Sequence, residues 1–124
     1  MNTQTIKDEL SASQKIFEAL DDRNDDANAT HLIEHHFLSS SRDSLDEVKA
    51  MGEFLGFGAS NFEEGSDKDR GIYFYFDLLS RTFILADGFS VFIPPQREAI
   101  IMLAMAEATG TEYDGWGTKL IPKP

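Results

Sequence analysis

An α+β fold in a single domain is predicted by three features of the sequence. The chain has 124 residues, which is the usual size of one domain. Hydrophobic residues make up 41% of the composition and include 10 phenylalanines, enough to fill one core. Segments with helical spacing of apolar residues alternate with segments rich in aromatic and β-branched residues, which indicates helices mixed with strands.

The N-terminal part is predicted to be a peripheral helix followed by a polar connector. In residues 3–20, apolar side chains recur at helical spacing, at Ile6, Leu10, Phe17 and Leu20. The charged run Asp21–Asp26 ends this helix, and Thr30–Leu38 is predicted to be the first strand. We therefore expect a helix and acidic connector over residues 1–27, the main domain over 28–119 and a loose tail over 120–124.

The middle of the chain is predicted to contain a second helix and a central strand. Ser44 and Glu47 have the spacing of a capping box, which predicts that a helix begins there and ends near Gly56. Aromatic residues are dense in Gly71–Leu79, which is the strongest strand pattern in the sequence. Between these elements we expect a strand at Phe57–Phe62 and a charged loop at Glu63–Arg70.

The C-terminal part is predicted to contain a third helix and a last strand. Pro94 and Pro95 are tolerated in a first helical turn, and Gly110 is a suitable C-terminal cap. Residues 80–93 are compatible with either a second short strand or an ordered crossover loop. The last strand is predicted at Thr111–Tyr113, and a turn is predicted at Asp114–Gly117.

The order of these elements predicts a specific architecture. After the leading helix the order is strand, helix, strand, strand, helix, strand. Short connections and right-handed crossovers fold this order into a ferredoxin-like βαββαβ sandwich, here with an extra N-terminal helix. In that fold the first and last strands are neighbours. One sheet face packs on two helices, and the other is free for the N-terminal helix or for a partner.

Charge and composition narrow the classes of function. The net charge is −11, from 22 acidic and 11 basic residues, which argues against direct binding to nucleic acid. The acidic charge either serves only to keep the protein soluble or suits a basic protein partner. The absence of cysteine excludes disulfides and thiolate zinc sites. The N-terminus has no signal-peptide pattern and the apolar run Ala99–Ala106 is too short to span a bilayer, so we expect a cytoplasmic protein without a membrane partner.

The segment Thr30–Phe37 contains all 3 histidines of the chain. On a strand, His31 and His35 are about 13 Å apart, because each residue advances ~3.3 Å. His35 and His36 point to opposite faces of such a strand. We therefore expect no metal site here, and we expect the histidines to bond to neighbours such as Glu34 or a tyrosine.

No catalytic motif accompanies these histidines. The sequence has no GxSxG elbow and no glycine-rich phosphate loop, and the carboxylates of Glu63-Glu64 and Asp25-Asp26 are expected to be solvated. We therefore expect a protein that is not an enzyme and needs no cofactor. Trp116 lies between two glycines and is interpreted either as a plug at the end of the last strand or as an aromatic anchor for a partner.

Three segments resemble one bacterial family, the regulators of ribonuclease E activity B, or RraB. They are IEHH at Ile33–His36, YFDLLS at Tyr75–Ser80 and EYDGWGT at Glu112–Thr118. The resemblance spans about Thr30 to Thr118 and marks six residues as a partner-binding or structural signature: Glu34, His35, His36, Tyr113, Asp114 and Trp116. If the first and last strands are neighbours, His35 or His36 is expected to lie near Tyr113 or Trp116 and to form one polar-aromatic patch with it.

The resemblance implies a small cytoplasmic protein with a ferredoxin-like fold. It also implies binding to the endoribonuclease RNase E, at the basic scaffold region, and inhibition of RNA processing. The chain departs from the family in having no acidic residue after Asp114 and a more apolar segment before the third helix, which leaves a different partner open. Two alternatives are a ligand-binding or enzymatic site lined by His35, Tyr73 and Tyr75, and a homo-oligomer with an unrelated role.

Overall fold

The computed structural model describes residues 2–84 and 94–124, which form three helices and five strands of an α+β fold. The predicted α+β class is therefore confirmed, as are the three predicted helices. The elements are α1 Thr3–Asp22, β1 His31–Ser39, α2 Arg42–Phe54, β2 Gly58–Ala59, β3 Glu63–Asp67, β4 Gly71–Thr82, α3 Pro94–Thr109 and β5 Glu112–Gly117.

The strands form one antiparallel sheet with β1 near its centre. The strand order is β2-β4-β1-β5, and β3 also pairs with β4. The first and last strands are neighbours, as predicted, and β1 pairs with β4 on its other side. Along β1, buried residues alternate with half-buried ones, and the buried set is His31, Ile33, His35 and Phe37.

All three helices pack on the face of the sheet that these buried residues form. Under α2 and α3 lies a cluster that includes Phe37, Phe76 and Leu78 from the sheet. Under α1 and α3 lies a second cluster of buried residues, comprising Leu20, Ile33, Ile84, Ala99 and Trp116. The apolar stripe of α1 therefore lies on the same side as the other helices. The opposite face, which we call the open face, has no helix of residues 2–84 or 94–124 on it.

The predicted charged loop at Glu63–Arg70 is wrong, because most of it is strand β3. Its five residues pair with β4 from Glu63↔Tyr75 to Asp67↔Gly71. An edge strand exposes its side chains on both sides, so acidic residues are tolerated where a central strand would exclude them. The hairpin turn is closed by the carboxylate of Asp67, which accepts hydrogen bonds from the backbone N–H groups of Asp69 and Arg70.

Two element boundaries also differ from the predictions. Helix α2 begins at Arg42 rather than at Ser44, because Ser41 is its N-cap and accepts a hydrogen bond from the Ser44 N–H at 3.2 Å. The strand predicted at Phe57–Phe62 is reduced to the two residues of β2. Strand β4 extends to Thr82, so residues 80–82 belong to it, and residues 85–93 lie outside the described residues.

The predicted turn at Asp114–Gly117 is also wrong, because β5 continues through it. The pairing with β1 shifts register: Phe37 lies opposite Tyr113 and His35 lies opposite Trp116. Two residues of β5, Asp114 and Gly115, therefore lie opposite the single residue His36, which is a β-bulge. Gly115 has a φ of +83°, a backbone angle that glycine adopts without the strain a side chain would cause.

The C-terminal residues were expected to be loose, whereas the structure gives them defined partners in the connector after α1. The Asp26 N–H donates to the Ile121 carbonyl at 2.6 Å, and the Lys123 N–H donates to the Asn24 carbonyl at 3.2 Å. The Ile121 N–H donates to the carboxylate of Asp25 at 2.8 Å. These bonds attach the C-terminal segment to the end of α1.

Candidate functional site

The six signature residues lie on β1 and β5 as predicted, but the pleat of the sheet divides them between its two faces. His35, Tyr113 and Trp116 face the helices, whereas Glu34, His36 and Asp114 lie on or beside the open face. The expected proximity of His35 to Tyr113 and Trp116 is therefore observed, and the other three signature residues form a second group.

The bulge in β5 decides which residues face the helices. Tyr113 and Trp116 are three positions apart, so a regular strand would place them on opposite faces. The extra residue at Asp114-Gly115 shifts the alternation of side chains by one position, so the rings of Tyr113 and Trp116 both lie on the helix side of the sheet. In the strand pairing, Tyr113 is the partner of Phe37 and Trp116 is the partner of His35. Gly115 is the sequence signal for this bulge, although a glycine next to an aspartate is equally typical of the turn predicted here.

His35 connects four elements through hydrogen bonds. Its Nδ1 lies 2.8 Å from the Tyr113 hydroxyl, and its Nε2 lies 2.9 Å from Oε1 of Glu98 on α3. The Ser80 hydroxyl donates to the same carboxylate oxygen at 2.7 Å. A ring whose Nε2–H donates to Glu98 and whose Nδ1 accepts from the Tyr113 hydroxyl satisfies both neighbours. The expectation that a sheet histidine bonds to a tyrosine is confirmed.

This network has the residue types of a proton relay, but its environment suits a structural role. The side chain of His35 is 0% exposed, so no substrate reaches it. Burial, together with the charges of Glu9 and Glu98, raises the pKa of Tyr113 far above its ordinary value, so the phenol stays protonated. The alternative site lined by His35, Tyr73 and Tyr75 is wrong, since His35 faces the helices and both tyrosines lie on the open face.

Trp116 is part of the core rather than a surface anchor. It is 4% exposed, and its indole N–H donates to the Ser13 hydroxyl of α1 at 2.8 Å. Ser13 in turn hydrogen bonds to Glu9, whose carboxyl pKa is raised above its ordinary value chiefly by burial, with a further contribution from the charge of Asp114. Trp116 therefore connects β5 to α1 through a buried polar contact.

His31 has a carboxylate partner that the sequence did not reveal. Its Nε2 lies 2.9 Å from Oδ1 of Asp25, and its Nδ1 lies 2.8 Å from the Ala29 carbonyl. Asp25 was expected to be solvated, but it is only 2% exposed, so that expectation is wrong. The carboxylate can be buried because it accepts hydrogen bonds from both His31 and the Ile121 N–H.

Each histidine thus binds a different acidic residue. Within residues 2–84 and 94–124, no three histidine, cysteine or acidic side chains come together in a way that could hold a metal ion. The predicted separation of His35 and His36 onto opposite faces is confirmed by their partners, Glu98 on one side and Asp77 on the other.

The open face carries a shallow cavity between β1, β4 and β5. Its volume is about 250 Å³, and it is lined by His36, Phe37, Leu38, Tyr73, Tyr75, Asp77 and Asp114. His36 Nδ1 lies 2.7 Å from Oδ1 of Asp77. We call this cavity the tyrosine–carboxylate pocket.

His36 is expected to titrate above the ordinary histidine value of about 6.5. The hydrogen bond to Asp77 raises its pKa most, the charges of Glu34 and Asp114 add to this, and burial opposes it. Because the folded-state pKa is raised, the His36–Asp77 pair stabilises the fold below the unfolded pKa and this contribution is lost as pH rises through the folded one. NMR titration of the His36 ring measures the midpoint directly.

The matched variant for this titration is Asp77→Asn, which keeps the shape of the side chain and removes its charge. We expect Asp77→Asn to lower the midpoint of the His36 titration. In the parent, the stability difference from His36→Gln should depend on pH, and we expect most of this dependence to disappear when Asp77 is replaced by Asn. A His36 midpoint at or below about 6.5 in the parent would contradict the proposed pairing.

Comparison with known proteins connects this structure to one family. The model of the family described as RraB, Regulator of ribonuclease activity B, matches residues 10–90. The chain belongs to the RraB family. The matched region runs from α1 into residues 85–90 and includes β1 with its three histidines and all of β4.

Full-length similarity supports the same assignment. The chain is 30% identical over 117 residues to the "Regulator of ribonuclease activity B" of Escherichia coli (strain K12), covering 94% of this chain and 80% of the relative. Relatives with that description from Xenorhabdus nematophila and Pseudoalteromonas atlantica are 28% and 27% identical, covering 91% and 98% of this chain and 76% and 98% of the relatives. No helix of this RraB-family chain, among the residues described, is long and apolar enough to cross a membrane.

Proposed function

We propose that this RraB-family protein regulates RNA processing in the cytoplasm by binding RNase E and inhibiting it, without catalysing a reaction itself. Its relatives are described as regulators of ribonuclease activity, and family membership is the observation that carries the proposal. We propose the basic scaffold region of RNase E as the contact. A net charge of −11 suits such a partner, since opposite charge speeds association and favours the correct orientation.

The fold supports a binding role. If β2 and β3 count as one interrupted strand, the sheet order is that of a ferredoxin-like sandwich, which we propose as the architecture of the domain. Three helices cover one face of its sheet, and the open face combines aromatic rings with carboxylates. The histidine, tyrosine and carboxylate groups that resemble catalytic residues are buried and bonded to one another.

Capture from a bacterial lysate tests the proposal. The immobilised protein is expected to retain RNase E both with and without prior ribonuclease treatment of the lysate, because the contact is between proteins. The purified protein is expected to slow cleavage of an RNA by RNase E, and the affinity is expected to fall as salt rises, because the charges on an exposed surface are screened.

The control is the same resin carrying an unrelated acidic protein of similar charge. Any RNase E that this control retains from the lysate is bound by ion exchange alone. Failure to retain RNase E would refute the proposed partner, and retention that disappears after ribonuclease treatment would show that RNA forms the bridge. An affinity that does not change with salt would contradict a contact dominated by charge.

A further inference from the structure

We propose that the open face of the sheet is the surface that receives the partner, and that the tyrosine–carboxylate pocket binds an arginine side chain of a basic segment. This rests on the proposed function for the nature of the partner. It adds which surface of the chain makes the contact and which side chain that surface recognises.

Two tyrosine rings form the aromatic wall of the pocket. The rings of Tyr73 and Tyr75 are 6.0 Å apart between centroids and tilted by 39°. Tyr73 lies over the Gly65 backbone so closely that a Cβ at this position would come within 3 Å of its ring. The carboxylate of Glu63 acts on the Tyr75 hydroxyl and raises the pKa of Tyr75.

Carboxylates complete the pocket on the other side. Asp77 uses Oδ1 to bind His36, whereas Asp114 is exposed and has neither a hydrogen bond nor an ion pair among the described residues. Glu34 is close enough to His36 to raise its pKa together with Asp77 and Asp114. Arg70, on which the charge of Asp114 acts, is already paired with Glu112. The pocket therefore has an excess of negative charge, which favours a cation from a partner.

The size and chemistry of the pocket suit a guanidinium group. Its volume of about 250 Å³ is below the roughly 300–1,000 Å³ of small-molecule sites, so it fits the end of a side chain better than a metabolite. The guanidinium group of arginine stacks on aromatic rings and forms bidentate hydrogen bonds with carboxylates, whereas the ammonium group of lysine offers only a point charge. A nucleic acid phosphate would be repelled by the same carboxylates.

A second acidic groove competes with this assignment. It runs between the N-terminal half of α1, α3 and β5, with a cavity of about 600 Å³ lined in part by Leu103, Glu112 and Tyr113. An adjoining cavity of about 380 Å³ adds Asp8 and Glu9 from α1 and shares Asp114 with the tyrosine–carboxylate pocket. The Tyr113 hydroxyl is committed to His35, and no second aromatic ring lines either cavity, so the groove lacks the stacking surface that favours arginine.

Binding of short labelled peptides to the whole protein tests the pocket. The probes are a synthetic peptide that alternates arginine with serine and its counterpart with lysine. We expect tighter binding of the arginine peptide, and we expect Asp114→Asn and Tyr75→Leu each to weaken it by about threefold to tenfold. Both residues are exposed, so the variants should keep the thermal midpoint of the parent, which circular dichroism checks.

Asp8→Asn is the matched control, because it removes one exposed carboxylate from the competing groove. We expect it to change affinity by less than about twofold, as for a charge outside the contact. Because Asp114 borders both cavities, Tyr75→Leu decides between them. A loss for Asp114→Asn with none for Tyr75→Leu would assign the segment to the groove, and equal losses for Asp8→Asn and Asp114→Asn would show that only general charge acts. A larger loss for Asp8→Asn would assign the segment to the groove. Equal affinity for the two peptides, or binding of a labelled single-stranded RNA instead, would also overturn the proposal.

The same variants in the RNase E capture assay separate the two proposals. Weaker capture by Asp114→Asn and Tyr75→Leu than by Asp8→Asn supports the open face as the docking surface. Undiminished capture by all of them would refute this surface and leave the regulatory function standing. Binding of the arginine peptide at the pocket without any capture of RNase E would refute that partner and leave the arginine site standing.

Discussion

Trp116→Ala is expected to lower the free energy of unfolding by about 3–5 kcal/mol, the usual range for truncating a large buried aromatic residue. The indole is 4% exposed and fills the cluster between α1, α3 and the sheet. Its removal leaves a cavity beside Leu20 and Ile33 and deprives the buried Ser13 hydroxyl of a donor. We expect α1 to be the first element to detach in this variant.

Denaturant unfolding followed by far-ultraviolet circular dichroism measures this loss, because Trp116 is the chain's 1 tryptophan and its fluorescence disappears with it. Trp116→Phe retains a ring and removes the N–H donor, so its smaller loss isolates the contact to Ser13. Phe54→Ala is the control, since Phe54 is 91% exposed and its truncation should stay within about 0.5 kcal/mol. Equal stabilities of the Trp116→Ala and Phe54→Ala variants would contradict the structural role.

Asp25→Ala is expected to cost a similar amount, about 2–5 kcal/mol, because it leaves the His31 ring and the Ile121 N–H without an acceptor, and each unsatisfied buried group costs about 1–3 kcal/mol. His31 is 0% exposed and would keep an unpaired Nε2 in the core. The Ile121 N–H would lose its acceptor as well. The C-terminal segment should therefore exchange its amide hydrogens faster in the variant than in the parent.

A double-mutant cycle separates the pair from its surroundings. We expect Asp25→Ala combined with His31→Leu to cost less than the sum of the two single variants, because neither group is then buried without a partner. Asp22→Ala is the control, since Asp22 is exposed at the C-terminal end of α1, three residues before Asp25, and should have little effect. Additive losses in the cycle would show that the two side chains do not stabilise each other.

The features that the sequence predicted well are those set by local periodicity. Alternation along Thr30–Leu38 predicted a strand, and this alone placed His35 and His36 on opposite faces. The three helices follow from apolar spacing and from Pro94, Pro95 and Gly110 near their ends. The adjacency of the first and last strands followed from topology rules, and the structure confirms it.

The features that it missed depend on contacts between distant parts of the chain. Asp25 looks like one more acid in a polar connector, and only the approach of His31 and Ile121 gives it a reason to be buried. Glu63–Asp67 has a composition typical of loops, and its strand exists because β4 supplies a backbone to pair with. Glu98 lies 63 residues from His35, so no local pattern connects them.

The bulge at Asp114-Gly115 has a consequence for self-association of the chain. Strand β5 is at one edge of the sheet and pairs with β1 alone among the described strands. A regular edge strand offers a row of free backbone groups to which another copy can add a strand, and this is a common route to aggregation. Because the bulge interrupts that row at its middle, β5 is a poor template for sheet extension. The same irregularity that turns Tyr113 and Trp116 inward therefore protects the exposed edge of the protein.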